Sequence, residues 1–182
     1  MTEADDLTQR PRTASVLAPD FVEGLGALGM EEVRRRRDEA LAERDFQSYL
    51  RRLVQAREDL LVAERSRRRA GATQKPVVER LTAILSGSTG RGSPRGEAIR
   101  VSLPDADTTE AERLADSMVG HLDISNPEAL TDPELEEAIA ALKRGEGAIS
   151  KDRTAVIRVH DMLQGELKRR FREDASLITR DR

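Results

Sequence analysis

The sequence predicts an all-α protein: two long helices packed as an antiparallel coiled coil, with short accessory helices and a flexible central linker. Positions 30–70 contain neither glycine nor proline, so one helix of about 40 residues fits there. A second long stretch has apolar residues at every seventh position, the repeat typical of a coiled coil. These positions are Leu135, Leu142, Ile149, Val156 and Leu163. Charged residues make up 36% of the chain and aromatic residues 2%, which suits long helices that each bury one seam.

The pattern along the chain divides it into six segments. Residues 1–20 are polar, contain Pro11 and Pro19 and show no apolar period, which predicts a disordered tail. An apolar cluster within 21–28 predicts an N-terminal hook that packs on a neighbouring helix. The predicted segments are the tail 1–20, the hook and first long helix 21–70, a linker 71–107 with a short helix near Pro76–Leu85, a short helix and loop 108–130, the second long helix 131–173 and a tail 174–182.

Signals at the ends of the long segments support these assignments. Glu31 and Glu32 fall in the first turn of the first helix, and arginines crowd residues 65–69 at its end, so both placements complement the helix dipole. We interpret the arginine cluster as a helix-end and solubility feature in preference to a nucleic-acid patch. Thr131 and Glu134 have the spacing of a capping box, which marks the start of the second long helix.

Composition excludes several classes of protein. The chain has no cysteine and two histidines, so thiolate and histidine-rich metal sites are not expected. The Gly/Ser-rich stretch 86–97 lacks the Lys-Ser/Thr ending of a phosphate loop. No apolar run reaches the roughly 20 residues of a membrane helix, and the acidic N-terminus lacks a signal-peptide core, so we expect a cytoplasmic protein without membrane contact. The net charge of −3 argues against direct DNA binding.

The first long helix carries a polar stripe with steps of three and four residues, which return to one face of a helix. The stripe consists of Arg44, Ser48, Arg51, Gln55 and Asp59. Apolar residues such as Phe46, Leu50 and Val54 gather on nearly the opposite side. Considered alone, this stripe has an ordinary explanation as a solvated face.

A near-copy of the stripe returns in the second long helix. It consists of Glu146, Ser150, Arg153 and Asp161, with Ile157 at the position of the glutamine. Glu146 and Arg153 also interrupt the middle of a seam that is apolar at both ends, which costs stability unless they are paired or bind a ligand. One interpretation is that they specify the helix register by pairing with the first helix. That interpretation does not explain why Ser-x-x-Arg, with an aspartate eight residues beyond the arginine, occurs in both helices.

The residue types in the two stripes suit a guanine nucleotide. An arginine fork matches the O6 and N7 acceptors of guanine, and a carboxylate matches its N1–H and amino donors. Two matched stripes suit a ligand with two-fold symmetry, such as a cyclic dinucleotide of guanine. Because the stripes include no nucleophile–base pair and no metal cluster, they indicate binding and not catalysis.

At these residues the sequence resembles the RsiG-type anti-sigma factors of actinobacteria, whose signature on each of two helices is Glu-x3-Ser-x2-Arg-x3-Gln-x3-Asp. Each copy here matches four of the five positions, with Arg44 in place of Glu and Ile157 in place of Gln. The resemblance implies that a dimer of two cyclic di-GMP molecules binds the coiled coil and docks a WhiG-type sigma factor, so that sporulation genes stay off. The alternative is a coiled-coil adaptor that binds its protein partner without any nucleotide.

Overall fold

The computed structural model describes residues 10–71 and 103–180, with side chains described up to residue 174. The described residues contain four α-helices and no strand. In chain order the helices are α1 (Pro11–Leu17), α2 (Met30–Arg69), α3 (Asp105–Ser117) and α4 (Asp132–Arg180). Short 3₁₀ turns lie at Pro19–Phe21, Leu25–Ala27 and Pro127–Ala129. The predicted all-α fold with two long helices is confirmed.

The chain forms two compact units, and α2 and α4 contribute residues to both. We call Met1–Tyr49 together with Gly147–Arg182 the terminal unit, and Leu50–Glu146 the central unit. In each unit α2 and α4 run antiparallel, since rising numbers on one helix meet falling numbers on the other. In the terminal unit Arg37 contacts Gln164 at 3.4 Å, while Ser48 contacts Arg153 at 2.9 Å.

The core of the terminal unit joins α2, α4 and the chain that precedes α2. Its buried residues are Val16, Phe21, Val33, Ala40, Val156, Val159, Leu163 and Leu167. The predicted hook packs against this core through Leu25 and Leu28. Arg170 of α4 holds the hook against α4, because it donates to the Leu25 carbonyl at 2.6 Å and to the Leu28 carbonyl at 2.7 Å.

The central unit buries apolar residues from α2, α3 and α4. Leu50, Val54 and Leu61 of α2 are fully buried, as is Leu142 of α4. A Cβ atom added at Gly145 would lie 2.5 Å from the Met118 sulfur, so the glycine allows the end of α3 to approach α4 closely. All five positions of the seven-residue repeat in α4 are at most 1% exposed, as the coiled-coil pattern predicts.

The start of α4 has the predicted capping box, and the end of α2 has arginine contacts that were not predicted. The Thr131 backbone N–H donates to the Glu134 carboxylate at 2.7 Å, which confirms the capping box. At the end of α2, Arg67 and Arg68 bind the buried Glu64, and the hydrogen bond from Arg67 holds the pKa of that carboxyl below its usual range. Arg68 also donates to the Leu130 carbonyl at 2.8 Å, so it ties α2 to the loop before α4.

The prediction of a disordered tail over 1–20 is wrong for the described part of that segment. Residues 11–17 form α1, with Thr13 1% exposed and Val16 fully buried. Pro11 occupies a first-turn position of the helix, where its missing N–H costs nothing. The segment folds because it packs on α2, and a seven-residue helix with two buried positions leaves too short a pattern for sequence periodicity to detect.

Two other boundaries differ from the prediction. Helix α3 begins at Asp105, inside the predicted linker 71–107, because Pro104 takes the N-cap position and acidic residues fill the first turn. Helix α4 continues to Arg180, through most of the predicted tail 174–182, since no proline or glycine stops it. The predicted short helix at Pro76–Leu85 and the Gly/Ser-rich stretch 86–97 lie outside the described residues.

Candidate functional site

In the central unit, three predicted site residues meet around one carboxylate. Arg51 Nε donates to Glu146 Oε1 at 2.7 Å, and Gln55 Nε2 donates to the same oxygen at 3.2 Å. The Arg51 side chain is 37% exposed and that of Glu146 is 22% exposed. The contact therefore joins the polar stripe of α2 to that of α4 at a place that solvent reaches.

In the terminal unit, two predicted site residues form a second contact between the helices. Arg153 Nε of α4 donates to Ser48 Oγ of α2 at 2.9 Å. The same hydroxyl donates to the Arg44 carbonyl at 2.7 Å, one turn back on α2. Ser48 and Arg153 are both half-buried. This contact reverses the direction of the first, since the arginine now comes from α4 and its acceptor from α2.

Of the remaining predicted residues on the same helices, Arg44 and Asp161 make other contacts. Arg44 donates to Asp45 Oδ1 through Nε at 3.0 Å and through a terminal nitrogen at 2.8 Å. Asp161 is exposed, with its Oδ1 3.3 Å from His160 Nδ1, and Asp59 is exposed as well. Ser150 is half-buried.

The two charged residues that interrupt the seam of α4 both contact α2. Glu146 accepts from Arg51, and Arg153 donates to Ser48. Pairing of this kind is what the register interpretation expects. It is also compatible with ligand binding, because the Arg51–Glu146 ion pair is partly exposed, and ion pairs that solvent reaches contribute only about 0–1 kcal/mol.

The terminal unit also contains a buried polar cluster that was not predicted from the sequence. Thr13 Oγ1 donates to Glu43 Oε1 at 2.6 Å, and Gln47 Nε2 donates to the same carboxylate at 2.9 Å and to Thr13 Oγ1 at 3.0 Å. Arg12 Nε donates to the other Glu43 oxygen at 3.1 Å. All three of Thr13, Glu43 and Gln47 are at most 1% exposed.

A signal in the sequence points to part of this cluster. Val33, Ala40, Gln47, Val54 and Leu61 follow one another at intervals of seven, and all five are buried. The seven-residue spacing that was applied to α4 therefore also places Gln47 in the seam of α2. No comparable signal identifies Thr13, because its burial depends on the docking of α1.

Within the described residues, no group of three or more acidic or histidine side chains is arranged to hold a metal ion. The described helices also include none that is long and apolar enough to cross a membrane. The fold and these contacts define a class of protein: a helical protein in which polar side chains bridge two long antiparallel helices.

Comparison with known families finds a match over one part of the chain. The model of the family described as RsiG-like matches residues 19–85, which include the hook and the whole of α2. The resemblance seen in the sequence is thereby confirmed over this part of the chain. No curated protein matches the chain.

Proposed function

We propose that the chain is an anti-sigma factor that binds cyclic di-GMP through its two signature stripes and sequesters a WhiG-type sigma factor while the ligand is bound. The observation that carries the proposal is the reciprocal contact between the stripes. Arg51 of α2 meets Glu146 of α4, and Arg153 of α4 meets Ser48 of α2. Each arginine thus lies where the opposite helix presents another residue of the signature.

The chemistry of these residues suits the ligand. A guanidinium fork donates to guanine O6 and N7 or neutralises a phosphate, and the planar group also stacks on bases. The carboxylates of Glu146, Asp59 and Asp161 are suited to accept from the N1–H and amino group of guanine. Asp59 and Asp161 are exposed, and Arg51 and Glu146 are partly exposed, so a ligand reaches them without unfolding the helices.

Binding by this route requires the arginines to change partners. In the free chain the Arg51 guanidinium is bound by Glu146, and that of Arg153 by the Ser48 hydroxyl. A phosphate or guanine edge offers two acceptors to each fork, and two parallel hydrogen bonds of this kind are among the stronger contacts that an arginine makes. The ligand would therefore exchange contacts between the helices for contacts to itself.

The two departures from the signature affect different parts of the ligand. Arg44 brings a positive charge where the family pattern has an acid, and its present partner is Asp45. We expect Arg44 to favour an additional phosphate. Ile157 is half-buried and offers no hydrogen bond where the pattern has glutamine. We therefore expect two cyclic di-GMP molecules to bind with fewer contacts on α4 than on α2.

Sequestration of a sigma factor would keep it from RNA polymerase, so the chain would act in the cytoplasm and repress sporulation genes. The alternative is an adaptor that binds its protein partner without nucleotide. Capture of a WhiG-type sigma factor by the immobilised chain, with and without cyclic di-GMP, separates the two. We expect capture of the sigma factor only when cyclic di-GMP is present. Equal capture in both conditions would favour the adaptor, and no capture in either would refute the proposed partner.

A further inference from the structure

The central unit contains a cavity that the proposed ligand site does not use. It has a volume of about 500 Å³ and opens between the second half of α2 and the chain that follows α3. Its apolar lining comes from Leu60, Val119, Leu122, Ile124 and Pro127. Clefts of this size with an apolar lining are the usual form of a binding site for a small molecule or an anchoring side chain.

The turn after α3 shapes this cavity. Helix α3 ends at Ser117, and three residues later Gly120 adopts a left-handed conformation with φ of 63°, which redirects the chain. The Leu122 N–H then donates to the Val119 carbonyl at 3.3 Å, and the Asp123 carboxylate accepts from the Ser125 N–H at 3.0 Å. The walls of the cavity are thus held by hydrogen bonds of the backbone and of one short polar side chain.

The charged residues that line the cavity are mostly acidic: Asp116, Asp123 and Glu128, against Arg57. Residues 105–128 contain seven acidic residues and one arginine, a formal charge of −6, whereas the whole chain has a net charge of −3. Asp116 and Glu128 line the cavity, and Glu112 is exposed on α3. Arg57 pairs with Asp116 at 2.6 Å, and Arg68 donates to the Pro127 carbonyl at 3.0 Å, so Asp123 and Glu128 are the lining acids whose carboxylates are not paired with either arginine in these contacts. An apolar recess inside a negative surface selects a partner that combines an apolar anchor with positive charge.

We infer that this cavity and its acidic border bind a basic amphipathic helix of a protein partner, with one of the helix's large apolar side chains inserted into the cavity. An amphipathic helix that lies in a groove through an apolar anchor is a common form of peptide recognition. The identity of the occupant as the sequestered sigma factor rests on the proposed function. The binding of a basic amphipathic helix does not, because it uses no residue of the cyclic di-GMP stripes.

The test uses a fluorescent helical peptide of leucine and lysine as the probe and measures its binding to the full chain by anisotropy. The charge-reversal variant Glu112→Lys with Glu128→Lys should weaken binding at least tenfold at about 0.1 M salt. The matched control, Glu23→Lys with Asp174→Lys, changes the net charge equally at exposed positions of the terminal unit and should change binding less than twofold. Equal effects of the two variants would overturn the inference.

The apolar part of the inference has its own test. Ile124→Ser removes half-buried lining from the cavity and should weaken binding of the same peptide. A peptide in which glutamine replaces leucine should bind more weakly at equal charge. Equal binding of the two peptides would show that charge alone acts, and would overturn the role of the cavity.

Calorimetry with cyclic di-GMP separates this inference from the proposed function. The Glu112→Lys, Glu128→Lys variant should bind the nucleotide as the wild type does, and Arg51→Ala with Arg153→Ala should bind the leucine–lysine peptide as the wild type does. Loss of peptide binding in the arginine variant would contradict the independence of the two sites. Failure of the wild type to bind the nucleotide would refute the proposed function and leave the peptide result intact.

Discussion

Replacing Thr13 with valine should destabilise the terminal unit, although the two side chains have nearly the same shape. The change removes the hydroxyl that donates to the buried Glu43 carboxylate at 2.6 Å and accepts from Gln47 at 3.0 Å. A hydrogen bond to a charged group contributes about 1.5–3 kcal/mol, and the buried carboxylate keeps its other donors. We therefore expect a loss of about 2 kcal/mol in the free energy of unfolding, or roughly 4–8 °C in Tm for a chain of this length.

Thermal unfolding followed by circular dichroism measures this loss. Ser15→Ala is the matched control, because Ser15 is exposed on the same short helix and alanine favours helix. A double-mutant cycle of Thr13→Val with Glu43→Gln should show coupling, since the two residues share a hydrogen bond. If Thr13→Val unfolds at the same temperature as Ser15→Ala, then α1 does not dock as described and the reasoning fails.

Two further perturbations test the packing of α4. Gly147 is exposed, and no atom lies within 4 Å of a Cβ added there, so Gly147→Ala should stabilise the protein by about 0.5–1 kcal/mol. Gly145→Ala should stabilise it less, because the new methyl group displaces Met118. If chemical denaturation gives equal gains in the free energy of unfolding for the two variants, the close approach of Met118 to α4 is contradicted. Hydrogen bonds from Arg169 and Arg170 lower the pKa of Glu166 from 4.5 to about 2. The ionised Glu166 carboxylate therefore contributes fully to the free energy of unfolding above pH 4.5, and this contribution is lost as the pH falls toward 2. The difference in Tm between wild type and Glu166→Gln should shrink as the pH falls from 4.5 toward 2. A constant difference would refute the stabilising role of the ionised Glu166.

The long helices were predictable because their signals are long and mutually consistent. The seven-residue repeat from Leu135 to Leu163 extends over four intervals, and each of its positions is buried in the structure. The glycines at 29 and 71 lie just outside the ends of α2, at Met30 and Arg69. In such segments the helix propensity and the pattern of buried residues favour the same structure, so tertiary packing does not change the helix that the sequence predicts.

The short elements were less predictable because tertiary contacts determine them. Helix α1 carries one fully buried apolar residue, Val16, and depends on the polar cluster at Glu43, which forms only after docking. A buried carboxylate on a highly charged helix has no sequence signature that separates it from its solvated neighbours. The start of α3 at Asp105 likewise depended on Pro104, which was assigned to the linker.

The candidate site was predictable in composition but not in pairing. Spacing alone placed Ser48, Arg51, Glu146 and Arg153 on two matching stripes. Which residue of one helix meets which residue of the other depends on the register, and a shift of one turn along a helix moves a side chain by about 5.4 Å. The contacts of Arg51 with Glu146 and of Arg153 with Ser48 therefore had to come from the structure.

The most direct test of the central claim is a calorimetric titration of the full chain with cyclic di-GMP. We compare the wild type with Arg51→Ala, Arg153→Ala and with a control, Arg52→Ala, Arg158→Ala, which removes two exposed arginines outside the signature. The account predicts binding by the wild type and the control, and no measurable heat for the signature variant while circular dichroism shows it to be helical. Wild-type affinity in the signature variant would contradict the account.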